Sequence, residues 1–182
     1  MLFALFADLG DRDRLAYLYL KNQPHLLSRG TKLLHVAPEY NLRSWLCSKV
    51  ELDYVSADLS MGNVDLNIDL TQIPFPNSTF GAIICNHVLE HIPDDRRAMT
   101  ELLRVLKPEG WAMLQVPISL NLTATYEDFS ITDPMDRERA FGQNDHVRIY
   151  AMDYRGPLEA GWLRGQPVRM APEQWRLWWR EQ

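Results

Sequence analysis

The chain has 182 residues, 46% of them hydrophobic and 24% charged, a balance that can support one folded domain and excludes a disordered chain. Its 19 basic and 24 acidic side chains leave a formal charge of −5, which argues against a protein that coats nucleic acid. With Cys47 and Cys85 as its only cysteines it has neither a disulfide framework nor a cysteine-built zinc site, and no metal site is read from its other residues.

No apolar run approaches the roughly 20 residues of a membrane span, so no membrane association is expected. The apolar start, Met1 to Phe6, lacks a basic flank and is too short for a secretory signal. A cytoplasmic protein with reduced thiols is the expectation.

In chain order, Leu15, Leu18 and Tyr19 have helical spacing within Asp11 to Asn22, and Pro24 stops that helix. The apolar run from Lys32 to Ala37 predicts a buried strand. Asn41 is then the expected cap of a helix whose inner face is Leu42, Trp45 and Leu46. A second strand is expected over Leu52 to Ala57, ending at Asp58, and an edge strand over Val64 to Asp69, where apolar and polar residues alternate. The link between these two is too short for an ordinary parallel crossover of about a dozen residues, so either the edge strand is very short or its helix has shrunk to a turn.

Phe80 to Cys85 predicts another buried strand. Met99, Leu102, Leu103 and Leu106 then mark the clearest helix, opened by Asp94 and Asp95 and closed by Lys107-Pro108-Glu109-Gly110. Trp111 to Val116 follows as a strand. Ser119 to Asn144 has little periodicity and reads as a long lid or binding loop. A short helix near Leu158, a strand at Val168 and Met170, and an apolar stripe of Trp175, Trp178 and Trp179 are expected in the last segment. That stripe suits core packing, with homo-oligomer formation as its alternative use.

Strands alternating with helices predict a three-layer α/β/α domain around a doubly wound, mostly parallel sheet, with ligand at the carboxyl ends of the strands. Asp58, 21 residues beyond Ala37, is spaced to accept both hydroxyls of a ribose, although a turn cap is an equally ordinary use of Asp. Asp69 is a candidate acceptor for an adenine amino group, and Asn86 and His87 follow the fourth strand toward the same cleft. Glu90 and His91 read as supports of the loop before the long helix. Asp145 and His146 are the candidate general-base pair, with Arg148 or Tyr150 orienting substrate and a loop-anchoring role as the alternative.

LLHVAPE, YVSADLS and the run from VDLNIDLTQIPFP through FGAIICNHVLEHIPDD to ELLRVLKPEGWAMLQVP resemble the core of the class I S-adenosylmethionine-dependent methyltransferases. More narrowly, they are similar to a branch with LHxAPE in place of the glycine-rich first motif. The resemblance is dense over residues 30–118; DHVRIY and LEAGW resemble the region after the fifth strand. It implies a single Rossmann-like domain over 1–182, with the core at 30–118, a lid or substrate region at 119–153 and a C-terminal segment at 154–182. The last strand of the usual seven is expected to be missing.

The resemblance further implies S-adenosylmethionine as cofactor and transfer of its methyl group to the oxygen or nitrogen of a small-molecule acceptor. His35, Ala37, Pro38 and Glu39 would hold the methionine part, Asp58 and Leu59 the ribose, Asp69 and Leu70 the adenine. Asn86 and His87 would lie near the sulfonium. His87, Asp145 and His146 are the candidate catalytic residues. The departures from the family pattern are specific: no glycine hairpin, His35 where an acid is common, and Gly81 in place of a frequent Asp. They raise a rival expectation, a binding or assembly module that kept the fold and lost the cofactor.

Overall fold

The computed structural model describes residues 11–154. The apolar start and the predicted elements beyond residue 154, including the tryptophan stripe, lie outside the described residues. Five parallel strands form the main sheet: β1 (Lys32–Val36), β2 (Asp53–Asp58), β3 (Leu66–Asn67), β4 (Phe80–Asn86) and β5 (Leu106–Gln115). Their spatial order is β3-β2-β1-β4-β5, so the direction of winding reverses between β1 and β4. In doubly wound sheets the crevice at this reversal is where ligands bind.

Alternation along β1 and β4 divides the core. Leu33, Ala82 and Ile84 face one side, against Leu42 and Leu46 of helix α2 (Tyr40–Cys47) and Ala16, Tyr17 and Leu20 of helix α1 (Asp11–Lys21). Leu34, Val36, Ile83 and Cys85 face the other, against Ala98, Met99, Leu102 and Val105 of helix α3 (Asp95–Val105). The expected α/β/α layering around a mostly parallel sheet is therefore present.

Several local expectations are corrected. Helix α1 buries Ala16, Tyr17 and Leu20, while Leu18 is exposed, because the packed stripe is rotated from the Leu15/Leu18/Tyr19 series. The residue before α2 is Glu39, with Asn41 inside the first turn, and the Glu39 side chain is not used as a cap. The edge strand shrinks to Leu66 and Asn67, which pair with Ala57 and Asp58; Asp65 accepts hydrogen bonds from Ser56 N and Oγ at 2.8 and 2.6 Å and thereby stitches the short link together.

Helix α3 starts as the sequence suggests, with Asp94 accepting from Arg97 N at 3.0 Å. It does not close through Lys107-Pro108-Glu109-Gly110, however. Leu106 already pairs with Phe80, Trp111 pairs with Ala82, and the residues between bulge out of the ladder. Gly110 suits this bulge, since an added Cβ would lie 2.7 Å from Leu106 Cδ1 and 2.9 Å from the Gly81 carbonyl oxygen.

The stretch after β5 is more regular than expected. Strands β6 (Tyr126–Glu127) and β7 (Arg148–Ile149) pair antiparallel, and helix α4 (Pro134–Phe141) lies between them in sequence. Asp133 caps α4 by accepting from Met135 N and Asp136 N, Pro134 opens it, and Gly142 closes it at φ +86°. These are ordinary start and stop signals. They were obscured because only Phe141 of this helix is buried, leaving no apolar period.

Candidate active site

β1 delivers His35 to the crevice, fully buried. Its Nδ1 lies 2.9 Å from Tyr54 Oη, and its Nε2 lies 2.8 Å from Glu39 Oε2. A carboxylate only accepts, so Nε2 carries the proton that it donates to Glu39; in the neutral imidazole Nδ1 then accepts from the Tyr54 hydroxyl, and in the imidazolium it donates to that oxygen. Burial pushes the Tyr54 hydroxyl well above its ordinary pKa, so the phenol keeps its proton.

The second Glu39 oxygen, Oε1, accepts from Asn86 Nδ2 at 3.2 Å. Glu39 thus bridges β1 and β4 across the point where the sheet reverses. Burial works to raise its pKa but is outweighed by the hydrogen bond and charge interaction with His35, a backbone contact and Asn86, leaving the carboxyl below its usual value. An anionic group is consequently held at the switch point although the first loop has no glycine.

The loop achieves this with a left-handed residue. Ala37 has φ +46° and donates its N–H to the Ala57 carbonyl at 2.8 Å. The turn brings the residue four positions after His35 back onto the imidazole. Pro38 is buried, whereas Tyr40 is 83% exposed.

At the end of β2, Asp58 Oδ1 accepts from Ser60 N and Met61 N, both at 2.8 Å. No hydrogen bond among the described residues engages Oδ2. The carboxylate therefore closes a turn and keeps an acceptor for another group. Leu59 is exposed beside it. Asp69 Oδ1 accepts from Thr71 N and Oγ1 at 2.8 and 2.7 Å, bonds that hold its pKa down. Leu70 is buried with Ile68 and Ile73 in the core.

At the end of β4, Asn86 and His87 behave differently. The Asn86 side chain is buried and its Oδ1 has no hydrogen-bond partner; Gln115 Oε1, at the end of β5, is in the same state. His87 sits at φ +54°, its backbone N–H bonded to the Gln115 carbonyl, and its Nδ1 stands 3.5 Å from Glu90 Oε1, too long for a good hydrogen bond.

Asp145 and His146 are not a pair. The Asp145 carboxylate lies 3.3 Å from His91 Nδ1, and the buried His146 ring packs edge-on against His91, with ring centres 4.8 Å apart. Burial, then the neighbouring His91, hold His146 below the ordinary histidine pKa. His146 also lines a small open pocket with Pro117, Phe141, Gly142 and Gln143, beyond the carboxyl end of β5.

Arg148 also lines that pocket, but the polar atoms of both residues read as substrate-orienting are engaged within the protein. Arg148 is buried and donates to the carbonyls of Leu89, Ile92 and Pro93 and to Glu127 Oε2. Tyr150 donates to Asp95 Oδ2 at 2.6 Å. Sequence reading missed Tyr54 as the partner of His35; its place one strand away, in the same register as Leu33, is visible only once β1 and β2 pair.

Residues 34–114, spanning β1 to β5, match the model of the methyltransferase domain family. This match shows a likeness to that family over the sheet. Among curated proteins it is 29% identical over 92 residues to a demethylmenaquinone methyltransferase from Renibacterium salmoninarum, a match that covers 44% of this chain and 39% of that one. The chain spans less than half the length of the curated relatives it matches.

Among solved structures, the 1,6-didemethyltoxoflavin-N1-methyltransferase from Burkholderia thailandensis, with bound 1,6-didemethyltoxoflavin and S-adenosylhomocysteine, gives a TM-score of 0.59 at 14% identity, over 87% of this chain and 69% of that chain. The [4+2]-cyclase SpnF gives 0.59 at 20% identity, over 82% and 57%. Both likenesses establish the architecture alone; that a cyclase shares it shows that the reaction must be argued from the site.

Proposed function

We propose that this chain is an S-adenosylmethionine-dependent methyltransferase acting on a small-molecule acceptor. The observation that supports it most is the Glu39 carboxylate, held between His35 and Asn86 at the point where the sheet reverses. A cofactor carrying an ammonium group fits this donor set: Glu39 supplies charge, and the orphaned Asn86 Oδ1 is a buried acceptor awaiting a donor. Asp58 Oδ2 would take a ribose hydroxyl, with Leu59 beside it, and Asp69 the adenine edge. Leu70 would act from beneath, by supporting that rim.

When bound, S-adenosylmethionine supplies a methyl group on a positively charged sulfur, open to in-line displacement. The protein's part is alignment and exclusion of water. The acceptor would occupy the pocket at His146, where an oxygen, a nitrogen or an activated ring carbon would lose its proton as the new bond forms. The demethylmenaquinone methyltransferase relatives favour a ring-bearing acceptor over a macromolecule.

Calorimetric titration with S-adenosylhomocysteine tests this reading. A single site is expected, and at a hundredfold excess over Kd the ligand should add about 2.7 kcal/mol of stability, seen as a higher Tm. No heat and no rise in Tm at millimolar ligand would instead identify a module that retains the fold without the cofactor.

A further inference from the structure

Beyond the carboxyl end of β4, Glu90, His91 and His146 each offer a ligand atom, and these atoms all lie within 4.8 Å of one another. Two come from the turn after β4 and the third from the segment leading into β7. The two segments are held together by the hydrogen bond from Val147 N to the Glu90 carbonyl at 3.0 Å.

Glu90 is the anomaly of this cluster. It is 1% exposed, its Oε2 has no hydrogen-bond partner, and its Oε1 has only the distant His87 Nδ1, itself unpartnered. A buried carboxylate with so little compensation is costly unless a cation accompanies it. Arg148, the buried guanidinium of this region, is engaged elsewhere, directed to Glu127, Asp95 and three carbonyls.

We propose that Glu90, His91 and His146 bind a first-row divalent cation of the Zn²⁺ type. Two imidazoles and one carboxylate form a donor set that suits such ions and leaves a coordination position open. Bonds of about 2.0–2.2 Å set tetrahedral ligand atoms about 3.3–3.5 Å apart, so shifts of about an ångström would close the present triad. An orienting contact is already in place: the Asp145 carboxylate stands 3.3 Å from His91 Nδ1. Ligating imidazoles are commonly fixed by carboxylate or carbonyl partners of this kind.

Because His146 also lines the pocket, the open position would face a ligand there. An oxygen donor of the acceptor is the class it would take, and the ion would lower the pKa of that group. The binding site itself does not depend on the methyltransferase reading, and its test uses no cofactor.

The full chain, stripped with a chelator, would be titrated with Zn²⁺ by calorimetry and with Co²⁺ by visible absorption. One equivalent is expected to bind with Kd at or below about 10 µM, with a Co²⁺ spectrum that Zn²⁺ abolishes. H91A, H146A and the near-isosteric E90Q should each weaken binding at least about tenfold while retaining the wild-type circular dichroism. No saturable binding of either ion by the wild-type chain would overturn the proposal without recourse to any variant. So would unchanged stoichiometry and affinity in folded E90Q.

Discussion

Two buried polar clusters flank the carboxyl ends of the strands, and they are finished differently. Around Arg148, every nitrogen is directed to an acceptor: three carbonyls from the β4–α3 turn and the carboxylate of Glu127, with Asp95 at 3.6 Å. Around Glu39 and Asn86, valences are left over, notably Asn86 Oδ1 and Gln115 Oε1. A cluster that satisfies itself fastens the chain. A cluster with buried acceptors still unpaired is prepared for a ligand, because the fold tolerates such atoms only where something else can pair them. This distinction, rather than residue type, separates the surroundings of Arg148 from those of Glu39: both groups are ionic and largely buried, but it is beside Glu39 that buried acceptors, Asn86 Oδ1 and Gln115 Oε1, lack partners.

The largest effect should come from breaking the closed cluster. Arg148→Met would leave the carbonyls of Leu89, Ile92 and Pro93 buried without donors, and a loss of about 3–5 kcal/mol is expected in urea unfolding. A milder test of the same knot is Tyr150→Phe. It deletes the bond to Asp95 and should cost about 1–1.5 kcal/mol by the same assay.

On the open side, Asp58→Ala should remove one turn-closing acceptor, about 0.5–1 kcal/mol of stability, while weakening S-adenosylhomocysteine about tenfold in calorimetry. A variant with that stability loss and unchanged affinity would return Asp58 to the role of a turn cap.

A third polar group sharpens the contrast through pH. Glu101 is bonded by Arg104 through both oxygens and accepts from Ile73 N, and these contacts hold its pKa at about 2, against 4.5 when unperturbed. Because the folded value is the lower one, its stabilisation is complete above pH 4.5 and is lost as pH falls toward 2. Urea midpoints should therefore drop over this interval in the wild-type chain and drop less in Glu101→Gln.

The regular parts of this architecture were legible because their signals are local. The apolar runs at Leu33–Val36 and Ala82–Cys85 and the 3.6-residue period of α3 each announce an element without help from the rest of the chain. The failures are equally specific. Helix α4 packs through one residue, so its caps had to be read without periodicity. Lys107 to Gly110 carry the residues of a helix stop, yet the strand had already begun at Leu106.

For the site, types and strand ends were readable but pairings were not. That Glu39 folds back onto His35 depends on the left-handed conformation of Ala37, which nothing in the side chain of Ala requires. Arg148 reaches carbonyls more than 50 positions earlier, and Asp145 faces His91 instead of its neighbour His146. Such partnerships are created by strand order and cannot be seen in spacing.

The central claim is that a carboxylate from after the first turn, anchored on a histidine, does what a glycine hairpin and an upstream acid do elsewhere. Its most direct measurement is the S-adenosylhomocysteine affinity of Glu39→Gln beside that of the wild-type chain. Gln keeps the size and a hydrogen-bonding carbonyl but loses the charge. At least a tenfold weaker Kd is expected, with the wild-type circular dichroism retained; equal affinity for the two proteins would contradict the account.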